Sequence, residues 1–132
     1  MTQQRVNPPE MARPSGFSHV VVAPAGRTAY LAGQTALDRD GRIVGADIVE
    51  QFEQALANLL TALRSVGGEP GHLTSMTVYI VDMAGYRARA RDIGAVWKRL
   101  VGQDYPAMAG IGVARLWDDE ALVEVQGVAV LP

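Results

Sequence analysis

From Ile48 onward apolar residues recur in steps of three and four, at Phe52, Ala55, Leu56, Leu59, Leu60, Leu63 and Val66. That spacing lays a single apolar stripe along an α-helix. Asp47 stands before the stripe with Glu50 three residues on, the spacing of a capping box. Gly67 and Gly68 supply the left-handed conformation that ends a helix. A second stripe runs through Tyr86, Ala90, Ile93, Trp97 and Leu100, with Asp82 as its cap and Gly102 and Pro106 as its stops. Between and around these helices the period drops to two. Residues 19–23 and 28–32 read as strands joined in a hairpin through Pro24, Ala25, Gly26 and Arg27. Residues 38–41 form a second turn signal, and 77–81 carry the β-branched run of a central strand. Two more strands, 107–116 and 122–130, close the chain. Pro8, Pro9, Pro14 and Gly16 make residues 1–16 an irregular lead-in to one domain spanning 1–132.

The predicted order is β-β-α-β-α-β-β, an α+β class. Each helix has one apolar stripe, so both cover the same face of one mixed, mostly antiparallel sheet. The last two strands are apolar at nearly every position, Glu124 and Arg115 excepted. A sheet this apolar needs cover on its second face, which in a chain of 132 residues points to packing between copies.

Composition narrows the function classes. Net charge is −2, so no basic field recruits nucleic acid or an anionic membrane. No apolar run approaches the ~20 residues that span a bilayer, and the N-terminus lacks the apolar core of a signal peptide, which together suggest a cytoplasmic protein. With no cysteine there is no thiolate nucleophile or thiolate metal site, and two isolated histidines, His19 and His72, do not make one either. His72, in the turn 70–72, is expected to be exposed.

Several short motifs, in their order and spacing, resemble the RidA/YjgF family. Gly16-Phe17-Ser18 is similar to its Gly-Tyr-Ser-type opening, and Ala32-Gly33-Gln34 to its Ser-Gly-Gln. Gln51, Ala55, Asn58 and Leu59 fit its first helix, and Val78, Tyr79, Ile80 and Asp82 its central strand and cap. Pro106, Ala107, Val113, Leu116, Glu124 and Ala129 fit its ending. The resemblance implies a chorismate-mutase-like fold and a homotrimer binding a small molecule in clefts between subunits. It also implies hydrolysis of imines or enamines such as 2-aminoacrylate, with no metal or organic cofactor.

The chain departs from that pattern where the chemistry is read most directly. Deaminating members have an arginine after Pro-Ala, gripping the substrate carboxylate; here the position is Met108. A guanidinium forms paired charge-assisted hydrogen bonds, whereas a thioether is a weak acceptor. Arg115 lies seven residues on. In a continuous strand that odd offset points it to the other face, about 23 Å away. Met108 therefore reads either as a pocket adapted to a less acidic ligand or as a pocket that lost its activity.

Glu124 is the candidate catalytic group, an acid/base on water, with a structural ion pair as the alternative. A hairpin through 117–121 would set Ala114 opposite Glu124 and Gly112 opposite Gln126, with Met108 at the far end of the same face. Phe17, Ser18, Gly33, Gln34, Tyr86, Ala107, Met108 and Trp117 are the candidate substrate-binding residues, with His19 and Gln126 as weaker members of the set. Gly33 would let backbone groups approach a ligand. Tyr86 also falls on the helical stripe, and Trp117 reads equally as a lid or an exposed loop aromatic. The function expected is a RidA-like hydrolase or deaminase on an imine, enamine or related C–N substrate other than 2-aminoacrylate. The alternatives are a non-catalytic binder and a pathway-specific enzyme using the same cleft.

Overall fold

The computed structural model describes residues 3–132. The elements are β1 (Gln4–Val6), β2 (Val20–Val22), β3 (Arg27–Gln34), α1 (Ile48–Ser65), β4 (Leu73–Ile80), α2 (Met83–Ala88), α3 (Ala90–Leu100), β5 (Ala107–Gly112) and β6 (Val123–Leu131). A single 3₁₀ turn, Pro70–His72, leads into β4. The main sheet runs β3-β6-β4-β5, antiparallel except for the parallel pair β4 and β5.

The helices form where the apolar spacing places them. Asp47 caps α1, its carboxylate accepting from the Glu50 amide at 2.9 Å, while Glu50 accepts from the Ala46 amide at 2.6 Å. The apolar stripe of α1, from Ile48 to Leu63, is buried on β3 and β6 and against α3. On the sheet, Val123, Val125, Ala129 and Leu131 of β6 and Leu73, Met76, Val78 and Ile80 of β4 face the helices and complete the core. Two polar residues on α1 fix chain segments outside it. Gln51 donates to the Glu120 carbonyl at 3.1 Å and accepts from the Leu122 amide at 2.8 Å. Asn58 donates to the carbonyls of Thr35 and Leu37 at 3.1 and 2.9 Å. The first pair sets the start of β6, the second the exit from β3.

Four expectations are corrected. Residues 20–22 do not pair with β3; β2 pairs with β1, so the lead-in holds a strand of its own and no hairpin forms through 24–27. The second helix is broken at Arg89 into α2 and α3. The final two strands are not a hairpin either, because β4 lies between them. β5 pairs in parallel with β4, which the α2–α3 crossover permits, and residues 113–122 carry the chain over to β6. Finally, His72 is half-buried, and its Nδ1 accepts from the Glu69 amide at 2.9 Å.

The other face of the sheet carries no helix. It presents Thr28 and Tyr30 from β3, Glu124, Gln126, Val128 and Val130 from β6, Thr77 and Tyr79 from β4, and Ala109 and Ile111 from β5, by strand alternation and register. Tyr30 is 82% exposed there.

Candidate functional site

Strand alternation divides the candidate residues between the two faces of the sheet. Met108 pairs with Met76, and Gly110 with Val78, so Met108 and Gly110 point to the helix side. Glu124 pairs with Tyr79 and points to the open side. The expected hairpin register, which put Met108 and Glu124 on one face, is therefore wrong. The expected parity argument for Arg115 also fails, because β5 ends at Gly112 and Arg115 sits in the following loop. There it pairs with Asp119 at 2.7 Å and donates to the carbonyls of Leu116 and Trp117. Trp117, on the same loop, is 91% exposed.

On the helix side lies a cleft of ≈ 330 Å³ between α2, α3, β5 and the segment 15–17. Phe17, Tyr86 and Met108 line it together. So do Phe52, Trp97 and Tyr105, with Ala90, Ile93, Gly94, Ala109 and Gly110 between them. No arginine, lysine or histidine is among its lining residues. Ser18 holds the lip in place. It is buried, its hydroxyl donates to the Tyr105 carbonyl at 2.7 Å, its amide donates to the Pro106 carbonyl at 3.0 Å, and it bridges to Ala107. Ser18 and Ala107 thus position Phe17 and Met108 rather than line the cleft.

The floor is aromatic. Trp97 stacks on Tyr105 with ring centroids 5.1 Å apart and planes 10° apart, and its indole N–H donates to the Asp104 carbonyl at 3.1 Å. Phe52 meets Tyr86 edge to face at 6.3 Å. Burial raises the Tyr86 phenol above its ordinary pKa, with a smaller push from Tyr105. The stripe Tyr86, Ala90, Ile93, Trp97 was the sequence signal for this wall; it faces the cleft as well as the core. Phe52 was legible on the α1 stripe, but Tyr105 carried no such signal, and only the fold brings the two to the same place.

On the open side Glu124 is half-buried, and its carboxylate rests on Gly33 so closely that a Cβ at residue 33 would collide with it. Gly33 lies in the irregular stretch where the register of β3 on β6 shifts between Leu31 and Gln34. Gln126 accepts from the Tyr79 hydroxyl at 3.0 Å, and Gln34 donates to the Ala32 carbonyl at 3.4 Å. His19 lies off both places. Its ring bonds the Ala12 carbonyl at 2.8 Å, and it meets Phe17 edge to face at 5.1 Å.

Comparison with known proteins shows what the whole chain is similar to. The family model described as "Endoribonuclease L-PSP" matches residues 9–131. A RutC family protein, UK114 of Drosophila melanogaster, is 32% identical over 115 residues, covering 86% of this chain and 78% of that protein. A 2-iminobutanoate/2-iminopropanoate deaminase of Mus musculus is 31% identical over 105 residues, 79% of this chain and 74% of that one. The crystal structure of a Rid family protein, YyfB from Yersinia pestis, matches with a TM-score of 0.89 at 35% identity, covering 99% of this chain and 100% of that one.

Proposed function

Since the chain belongs to the RidA/YjgF family, the one described as endoribonuclease L-PSP, we propose that it hydrolyses an imine or enamine bearing no carboxylate at the reacting carbon. The observation that carries this reading is the cleft behind Met108, whose lining includes no cationic side chain. An ionised carboxylate held against apolar walls loses its hydration and gains no partner, which costs several kcal/mol. An uncharged C=N group with an apolar substituent meets no such penalty.

Glu124 is the acid/base group of this proposal. It takes a proton from water as the oxygen bonds to the C=N carbon, and passes that proton to the nitrogen, whose electron pair comes from the C=N π bond. Glu124 then carries the hydroxyl proton to the amino nitrogen as the C–N bond breaks, leaving a carbonyl and ammonia, so one water enters for each ammonia released. Because Glu124 and the cleft lie on opposite faces of one sheet, the reacting centre is assembled from two copies. The homotrimer is part of the proposal. Strand order supports it: the cleft adjoins the edge strand β5, and Glu124 rests on Gly33 of the opposite edge strand β3. Packing one copy's β3 edge beside the next copy's β5 edge brings the two halves together.

The test supplies imines from an amine oxidase acting on 2-aminobutane, and 2-iminopropanoate from an amino-acid oxidase acting on alanine. Faster ammonia release from the first imine, but not from the second, is expected. Met108→Arg should reverse that preference. Breakdown of 2-iminopropanoate by the unaltered protein at the rate of the mouse deaminase would refute the reading.

A further inference from the structure

The cleft is more specific than an apolar hole. Its accessible rings are Phe17, Tyr86 and Tyr105, backed by Phe52 and Trp97, each 2% exposed, and Tyr105 stacks nearly parallel on Trp97 at 5.1 Å. Flat aromatic faces select flat ligands, because offset stacking and edge contacts add to simple burial. The small residues Ala90, Gly94 and Gly110 leave the space between those walls open. A Cβ built on Gly94 meets nothing within 4 Å, and one on Gly110 meets only Ile80 at 3.7 Å.

Two phenols stand within these walls, Tyr86 and Tyr105, the second of them stacked on Trp97. Tyr86 lines the cleft on α2, held edge to face by Phe52. Its hydroxyl takes part in none of the hydrogen bonds among the described residues, whereas the Tyr79 hydroxyl donates to Gln126 at 3.0 Å. A half-buried phenol without a protein partner is a donor available to a ligand. Burial raises its pKa, which keeps the phenol protonated through neutral pH. With no cation in the lining, its natural partner is an uncharged acceptor such as a carbonyl, amide or ring nitrogen.

We propose that the cleft takes a ring-bearing substituent of the substrate between its aromatic walls, and that the Tyr86 hydroxyl positions it by donating a hydrogen bond to a neutral acceptor. This rests on the carboxylate-free reading of the same cleft and names the substrate class within it. Tyr86 is a positioning residue; it takes no proton in the reaction.

The experiment uses the full chain, benzamide, toluene and benzoate as probes, and amide chemical shifts as the readout. Benzamide should shift the amides of Gly16, Gly94 and Gly110 with saturation, and benzoate should bind at least about tenfold more weakly, having lost solvation without gaining a cation. Tyr86→Phe keeps the ring and its contact with Phe52. It should weaken benzamide about three- to tenfold, the range of one net hydrogen bond, and leave toluene unchanged. Equal losses for benzamide and toluene, or no loss for either, would overturn the role of the hydroxyl. Absence of benzamide shifts at the cleft amides would overturn the ring pocket, even if acyclic imines are hydrolysed. Benzamide binding of the expected kind with no imine turned over would support the pocket and defeat only the hydrolase reading.

Discussion

Gly33 illustrates how a residue's identity and its reason can be read separately. As a strand-end glycine it suggests close approach of backbone to a ligand. The structure supplies a nearer cause: the Glu124 carboxylate occupies the space a side chain would fill. The backbone of Gly33 is not in the left-handed region, which among the described residues holds Gly16, Gly41, Gly45, Gly67 and Gly102. Alanine can therefore adopt the conformation, and its methyl only has to push aside the far end of a flexible side chain. Gly33→Ala should change folding stability by no more than about 0.5 kcal/mol, as surface substitutions do. If Glu124 is the acid/base group, the same change should lower turnover by about a hundredfold, because a displacement near 1 Å disrupts proton transfer. Steady-state ammonia release and a urea melt measure the two effects. Full activity in a stable Gly33→Ala protein would remove Glu124 from the mechanism. Met108 was legible in a different way. That a thioether offers a carboxylate no charged partner follows from residue type alone, but the face Met108 occupies depends on which strand lies beside it.

At the scale of elements, the helices were legible because their signals are local. The stripe, cap and terminating glycines of α1 all lie within some twenty consecutive residues, and the structure agrees with them except that Val66 is the exposed C-cap and Gly67 alone takes the left-handed conformation. Leu59 sits fully buried at the centre of that stripe, so Leu59→Ala should cost about 2–5 kcal/mol in a urea titration. Strand pairing was not legible, because partners are chosen by the whole sheet. Two adjacent apolar strands suggest a hairpin, yet β4, more than forty residues upstream of β6, fits between them. Joining β5 in parallel to β4 satisfies the backbone of both and uses the α2–α3 crossover. The break at Arg89 was also hidden, since the apolar stripe runs through it without interruption. Arg89 there pairs with Asp92 at 2.8 Å and reaches the α1 cap, Asp47, at 3.5 Å, tying the two helical regions together. The Glu50 amide, bonded to the Asp47 carboxylate, holds its pKa below the ordinary value, helped by Arg89. A carboxylate whose pKa is depressed on folding contributes stability above its unfolded value, about pH 4, and loses it as pH falls through the folded value. Asp47→Asn keeps a cap and removes the titration. Its urea midpoint should therefore fall less steeply than that of the parent chain below about pH 4. Parallel curves for the two proteins would show that the cap carries no such linkage.

The molecule as a whole has one sheet face covered by helices and one left bare, with the cleft beside the edge strand β5 and Glu124 against the edge strand β3. Those facts bear on each other. The bare face sets Val128, Val130, Ala109, Ile111 and the exposed ring of Tyr30 among Thr28, Thr77, Tyr79, Glu124 and Gln126, an apolar patch within a polar frame. A two-fold contact would set like edges together, β3 on β3 or β5 on β5, and keep the Glu124 half-site apart from the cleft. A head-to-tail contact sets β3 of one copy beside β5 of the next, and a rotation that closes gives a ring with one complete site per interface. Three copies forming such a ring would bury the bare faces around a common axis. Val128 lies near the middle of that face, on β6 between Tyr30 and Ser75. Val128→Lys would place a charge there without touching the helix-side core. At micromolar concentration the parent chain should sediment as a trimer and the variant as a folded monomer, with unchanged far-ultraviolet dichroism. If each site needs two copies, the monomer should release no ammonia from any imine while benzamide still shifts the cleft amides, since the cleft belongs to one chain. A parent chain that sediments as a monomer and turns over imines would mean that Glu124 and the cleft do not meet across an interface.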